Sequence, residues 1–320
     1  LWFLHKIRFW RYCISMNRNV LLVINPKASK GKGEVKARKI SDYFISKGWG
    51  CTVAYTRDVG HAEKLARSGA ENGFPVIVAA GGDGTVNEVV NGIMKSGLQH
   101  KVKMGIIPIG RGNDYAWVAG IPTSWKKAAD MIIDGSTKET DVGRAVGEGE
   151  DKYFLNGMGF GFEPMVNFKA QEFRHINGMA SYVIAFLHIL MSPPEGYDVS
   201  ISFDGGEERR FKTQQISINN GRRMGSSFLM TPKAEIDDGL FDYMFTNRLY
   251  KGLGLIGLVI KFLRGAMVSD KVNFSYGNAR KVELNVYGKG IEAHVDGEEF
   301  TRCGNSFTVE VIPSAIHLFR

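Results

Sequence analysis

Apolar runs and amphipathic stretches alternate through the first third of the chain. Val20-Leu21-Leu22-Val23-Ile24, Cys51-Thr52-Val53-Ala54-Tyr55, Val76-Ile77-Val78-Ala79-Ala80 and Met104-Gly105-Ile106-Ile107-Pro108 read as strands, the first and third continuous enough to be buried on both faces. Helical patterns over 34–47, 61–72 and 85–94 lie between them. This alternation predicts an α/β N-terminal domain, a parallel sheet between helices. From 151 to 302 the pattern changes to short alternating strands, at 199–203, 211–219, 240–246, 272–276 and 281–287, with turn signals such as Asp204-Gly205-Gly206. That half predicts a β-sandwich C-terminal domain. Two apolar helical stretches, 178–191 and 250–267, interrupt it; both could shelter an acyl chain or touch a bilayer, and both read first as helices packed on a sheet.

The third strand ends in Gly81-Gly82-Asp83-Gly84 and a helix follows, with Thr85 and Glu88 spaced as a capping box. Strand, glycine turn and helix N-terminus make an anion site: unpaired N–H groups and the helix dipole attract phosphate, and Gly81, Gly82 and Gly84 let the backbone approach it. Asp83 would repel that phosphate unless a cation lay between them, which points to Mg²⁺. Glycine-rich turns of this kind also occur in any doubly wound fold, and neither a Walker A spacing around Gly31-Lys32-Gly33 nor a Gly-x-Gly-x-x-Gly fingerprint is present. The fourth strand opens into Ile109-Gly110-Arg111-Gly112-Asn113-Asp114, and the first into a basic loop at 25–33 that suits phosphate or solvent almost equally. Loops at the carboxyl ends of neighbouring parallel strands meet at one crevice, so Asn25, Asp83 and Asp114 are expected to converge.

A chain of 320 residues, 44% hydrophobic and with 39 glycines, fits two globular domains, and no apolar run reaches the 18 residues of a membrane span. The net charge of +8 calls for an anionic partner, for which nucleotide, nucleic acid and acidic lipid all qualify. Dispersed lysines without an aromatic stacking module argue against nucleic acid. Cys13, Cys51 and Cys303 have neither metal nor disulfide spacing, which fits a cytoplasmic location. Residues 1–15 mix aromatics with Lys6, Arg8 and Arg11; they read either as a segment for an anionic membrane surface or, the preferred reading, as lying ahead of a start at Met16.

These motifs together resemble the diacylglycerol kinase catalytic domain family and its lipid kinase relatives, including sphingosine kinases. The family pattern Gly-Gly-Asp-Gly-Thr-x-Asn-Glu is matched throughout residues 81–88, and Pro-x-Gly-Thr-x-Asn-Asp at 108–114, with Arg111 in place of threonine. Residues 139–143 around Asp141, the segment 156–163 with Glu163 in place of aspartate, the loop 232–242, and Asp296-Gly297-Glu298 continue the likeness. It implies an NAD kinase/diacylglycerol kinase-like first domain over 16–140, a lipid-substrate domain over 141–305, and a return of 306–320 to the first domain, with 1–15 outside. It also implies an ATP- and Mg²⁺-dependent kinase acting on a hydroxyl of diacylglycerol or a similar lipid. Asn25, Pro26, Gly81, Gly82, Asp83, Gly84, Thr85, Glu88, Gly110, Arg111, Asn113 and Asp114 would bind nucleotide. Asp83, Asp114 and Asp141 would organise Mg²⁺ and its waters, Asp238 a structural Mg²⁺, and Asp296 would be the general base with Glu298 beside it.

Read without the resemblance, Asp296-Gly297 is simply the preferred two-residue hairpin turn between strands at 291–295 and 298–301. His294, placed by strand alternation on the same face as Asp296, competes as the base. The scattered cysteines fit a cytoplasmic enzyme, its basic side chains would hold it peripherally on anionic membrane, and a homodimer is left open. The rivals are a soluble-substrate kinase of the NAD kinase type, which shares the Gly-Gly-Asp-Gly-Thr core, and a non-catalytic lipid- or nucleotide-binding homologue.

Overall fold

The computed structural model describes residues 18–173, 179–191, 195–225 and 227–320, and the reading of residues 1–15 lies outside them. The chain forms two compact units, one running to Thr140 and resuming over Ser314–Arg320, the other Asp141–Pro313.

The first unit carries β1 (Asn19–Ile24), α1 (Ala28–Gly31), α2 (Gly33–Ser46), β2 (Gly50–Tyr55), α3 (His61–Glu71), β3 (Val76–Gly81), α4 (Asp83–Lys95), β4 (Lys103–Pro108), α5 (Asp114–Val118) and α6 (Trp125–Asp134). Its strands lie in the order β2-β1-β3-β4, all parallel. The apolar runs of β1 and β3 are sealed on both faces, and α2 buries Ala37, Ile40 and Phe44. Helices α3 and α4 approach closely because Gly92 has no side chain: a Cβ there would stand 2.2 Å from the Glu63 carbonyl oxygen. The chain leaves β1 toward β2 on one side and returns to β3 on the other. The loops after β1 and β3 therefore flank a topological switch point, where open α/β sheets bind ligands.

The expected capping box at Thr85 and Glu88 is not formed. Helix α4 begins two residues earlier, at Asp83, with Gly82 as an N-cap that has no side-chain bond. Glu88 instead caps α3: Oε1 accepts the Gly60 N–H at 2.8 Å and Oε2 the Ala62 N–H at 2.9 Å. Gly60 is left-handed and carries no capping side chain of its own, so the carboxylate supplies both the missing acceptors and a charge favourable to the helix dipole. Glu88→Gln keeps one acceptor and faces the other N–H with an amide NH₂; it is expected to cost about 1–3 kcal/mol in urea unfolding. An unchanged midpoint would remove the capping role.

In the second unit, β5 (Thr137–Gly147) brings the chain out of the first at Thr140 and is followed by β6 (Glu150–Phe154), β7 (Gly157–Gly161), α7 (Phe162–Glu172) and α8 (Met179–Met191). Then come β8 (Tyr197–Phe203), β9 (Arg209–Thr213), β10 (Gln215–Asn219), β11 (Phe241–Thr246), α9 (Leu253–Arg264), β12 (Phe274–Ala279), β13 (Lys281–Tyr287), β14 (Ile291–Val295), β15 (Glu298–Gly304) and β16 (Ser306–Phe319). One antiparallel sheet runs β12-β11-β10-β7-β14-β15. A second set joins β13 to β8 and β16, and β8 to β9. A core that includes Phe154, Phe160, Ile218, Phe241, Leu284 and Phe307 completes the sandwich.

One strand departs from the sequence reading. The run 211–219 breaks at buried Gln214, so that β9 pairs with β8 in one sheet while β10 pairs with β7 and β11 in the other. The last strand, in the stretch expected to return to the first domain, starts by pairing with β13, and His317 and Leu318 at its end pair parallel with β4 inside the first unit. No helix among the described residues is long and apolar enough to cross a membrane.

Candidate active site

In the first unit, three loops meet at the carboxyl edge of the sheet. The Asn25 N–H donates to the Ala80 carbonyl and the Ser29 N–H to Ile109, tying the segment after β1 to the end of β3 and to the loop after β4. Asn25 turns its own loop by accepting the Lys27 N–H at 2.9 Å, and Gly33 folds back so that its N–H reaches the Pro26 carbonyl. Ile109 and Gly110 both donate to the Gly81 carbonyl. Asn113, left-handed at φ 50, accepts the Gly110 N–H through Oδ1 and donates to the Gly110 carbonyl through Nδ2.

The starts of α4 and α5 are joined by a carboxylate, Asp83 Oδ1 accepting the Tyr115 N–H at 3.2 Å. Asp114, the residue before it, is buried at the start of α5. The first N–H groups of α4, from Asp83 onward, have no partner within their helix and belong to the turn. Thr85 is buried above Gly81, where a Cβ would stand 2.3 Å from the Thr85 hydroxyl oxygen, so Gly81 serves Thr85 as well as any ligand. Arg111, where the family pattern has threonine, is exposed. The expected convergence of Asn25, Asp83 and Asp114 is thus present in the loops that carry them.

In the second unit, Asp296 and Gly297 form the turn between β14 and β15 at φ 49 and 85, the doubly left-handed hairpin that Asp-Gly favours. Strand alternation stops at Val295 and does not set the direction of Asp296. Its carboxylate accepts three backbone N–H groups, Leu155 on Oδ2 and Asn156 and Gly157 on Oδ1, all within 2.9 Å. His294 is fully buried beneath the turn: Nδ1 accepts the Gly297 N–H, so Nε2 holds the proton and donates it to the Glu163 carboxylate at 2.7 Å. One helical turn along α7, Asn167 Nδ2 donates to the Gly297 carbonyl at 2.7 Å. Glu163, the departure from the family aspartate, is therefore engaged with His294 and, with Asn167, clamps the turn from α7. Gly159 makes room, since a Cβ there would stand 2.3 Å from a Glu163 carboxylate oxygen. Glu298 opens β15 and is exposed.

The remaining acids lie on the 232–242 loop and its anchor. Asp141 is buried; its Oδ2 accepts the Gly239 N–H at 2.7 Å and its own N–H donates to Ile236. Partial desolvation pushes the Asp238 carboxyl above the usual carboxylate range, the Leu240 N–H pulls it back, and the charges of Asp141 and Asp237 push it up again. Burial likewise raises Asp242, against the hydrogen bond from the Tyr276 hydroxyl. Among the described residues, no three or more His, Cys, Asp or Glu side chains group to hold a metal ion. A magnesium at the Asp83–Asp114 edge fits only with water and phosphate oxygens completing its shell, the usual habit of that ion.

The diacylglycerol kinase catalytic domain profile matches residues 19–145, and the YegS C-terminal NAD kinase beta sandwich-like domain profile matches 156–320. The chain is 30% identical over 285 residues to a diacylglycerol kinase of Bacillus subtilis, covering 87% of this chain and 88% of that one. With a diacylglycerol kinase of Staphylococcus epidermidis it shares 27% over 291 residues, covering 88% and 86%. A crystal structure of a diacylglycerol kinase from Bacillus anthracis superposes with a TM-score of 0.71 at 22% identity, over 94% of this chain and 96% of that one. An NAD kinase from Archaeoglobus fulgidus solved with ATP gives 0.51 at 14%, over 94% and 93%, which speaks to fold alone. The α/β domain and β-sandwich expected from the sequence are the architecture of these relatives, and the chain belongs to the diacylglycerol kinase family.

Proposed function

We propose that this kinase transfers the γ-phosphate of ATP to a hydroxyl of diacylglycerol or a closely similar lipid at an anionic membrane surface, with Mg²⁺. The observation that carries the reading is the three-loop edge of the first unit, where glycine backbone, the N-terminus of α4 and the loops that carry Asp83 and Asp114 come together. Gly81, Gly82, Gly84 and Gly110 give phosphate oxygens access to backbone N–H groups. Asn25, Pro26, Thr85, Asn113 and Glu88 shape the loops around them, Glu88 from the far side through α3. Asp83 and Asp114 hold Mg²⁺, which when bound neutralises charge on the phosphates. Asp141 steadies the 232–242 loop, where Asp238 is the candidate for a structural Mg²⁺. Asp296 takes the proton of the acceptor hydroxyl as it attacks. His294, with both ring nitrogens occupied, supports the turn.

The reading is tested by following radiolabelled γ-phosphate from ATP to dioleoylglycerol, sphingosine, ceramide and phosphatidylglycerol in mixed micelles, and to NAD in solution, with Mg²⁺ and with EDTA. Labelling of diacylglycerol that disappears with EDTA is the expected result. Labelling of NAD alone assigns the chain to the soluble-substrate class. ATP binding without transfer to any acceptor makes it a regulator.

A further inference from the structure

Helix α9 is apolar on two faces. Leu255, Leu258 and Phe262 are buried in a cluster with Met230, Met244 and Phe274. Leu253, Ile256, Ile260 and Leu263, at spacings of three, four and three, lie along another face and stay exposed, Leu253 at 82%. Among the described residues, nothing in the second unit requires this stripe: the buried face already docks the helix. Helix α8 repeats the arrangement, with Ala185 and Ile189 buried and Val183, Leu187 and Met191 exposed. Along the chain, the charge flanking α9 has one sign. From 243 to 269 the chain has no Asp or Glu, while Arg248, Lys251 and Arg264 are exposed. Lys261 is paired with Asp270, which removes the nearest acid from the balance, and Lys271 and Val272, the latter 85% exposed, continue the same mixture beyond it.

We propose that the exposed stripe of α9 with Arg248, Lys251 and Arg264 is a seat for an anionic phospholipid bilayer, apolar side chains entering the interface and the cations meeting headgroup phosphates. An apolar stripe whose own stretch of chain carries cations and no acid matches that surface in both respects. A protein partner would need acids presented around an apolar groove, and water alone would leave the stripe without a use. The assignment rests on the lipid-acceptor reading for its purpose but not for its test.

The test is flotation of the full chain with vesicles of phosphatidylcholine alone or with one-third phosphatidylglycerol. Wild-type protein, Leu253→Glu/Ile260→Glu and Lys251→Glu/Arg264→Glu are compared, and each is assayed for transfer to long-chain diacylglycerol in the vesicles and to dispersed dioctanoylglycerol. Expected are binding to phosphatidylglycerol vesicles that weakens with salt, at least tenfold weaker partitioning of both double variants, and loss of transfer to the vesicle substrate with transfer to dioctanoylglycerol kept. Equal flotation of all three proteins, equal binding to neutral vesicles, or no binding overturns the seat. So does a dimer in size exclusion that the Leu253→Glu/Ile260→Glu variant makes monomeric, which would give the stripe to a second copy. If wild-type protein binds anionic vesicles through this face but phosphorylates neither substrate, the seat stands and the kinase reading is what fails.

Discussion

Asp296→Asn is expected to lower phosphate transfer to diacylglycerol by about 100-fold to 10,000-fold, the range produced by loss of a general base. Asparagine has the same shape but cannot take the hydroxyl proton. It also has a structural consequence, because the carboxylate accepts the N–H groups of Leu155, Asn156 and Gly157 and the amide NH₂ must face at least one of them. That mismatch costs about 1–3 kcal/mol, so a lower melting point should accompany the loss of rate. The two effects separate on temperature: assayed well below its own melting point, the variant stays folded, and the missing rate is chemical. His294→Gln provides the comparison. It removes the Nδ1 acceptor of the Gly297 N–H while leaving Asp296 in place, so its deficit measures what the clamp alone contributes. A wild-type rate in Asp296→Asn would return Asp296 to the role of a turn residue, for which its positive φ and three backbone bonds are already sufficient.

What the sequence disclosed depended on how local each signal was. The strands β1 and β3 were legible because five apolar residues in a row have few other uses, and Asp296-Gly297 was legible as a turn because both residues tolerate φ above zero. The meeting of the loops after β1, β3 and β4 followed from parallel order alone. Glu88 was misread because its partners, Gly60 and Ala62, lie 26 to 28 positions away, and a capping box is only a four-residue pattern. The break at Gln214 left no mark in the alternation of 211–219. His294 read as a rival base because a sequence shows its pKa class and not its neighbours; Glu163 lies 131 positions away. Asn167 gave no signal, and only the glycine at 159, placed within a strand, hinted that something large had to fit beside it.

The second large effect is expected at Gly110, where the loops after β3 and β4 touch through bare backbone. A Cβ at Gly110 would stand 2.2 Å from the Gly82 Cα, 2.8 Å from the Gly82 nitrogen and 2.8 Å from Asn113 Oδ1. None of these is the free end of a flexible side chain: two are main chain, and Asn113 is held to Gly110 by two hydrogen bonds. Gly110→Ala must therefore push the two loops apart, at about 1–3 kcal/mol or more of overpacking. It also moves Gly82 and the start of α4, the elements proposed to hold ATP. A displacement of about 1 Å is enough to cost about 100-fold in a positioned reaction, so ATP affinity and turnover should both fall, with a loss of at least tenfold in calorimetric titration of ATP. Gly97→Ala is the control. Gly97 is left-handed at φ 70 with open space around it, at the far end of α4, so alanine there strains the backbone by about 1–2 kcal/mol without touching the loops. If both alanines lower the melting point while only Gly110→Ala loses ATP, the contact between the loops is what shapes the phosphate site. If Gly110→Ala binds ATP as tightly as the wild type, phosphate is held elsewhere, and the three-loop edge is packing rather than a cradle.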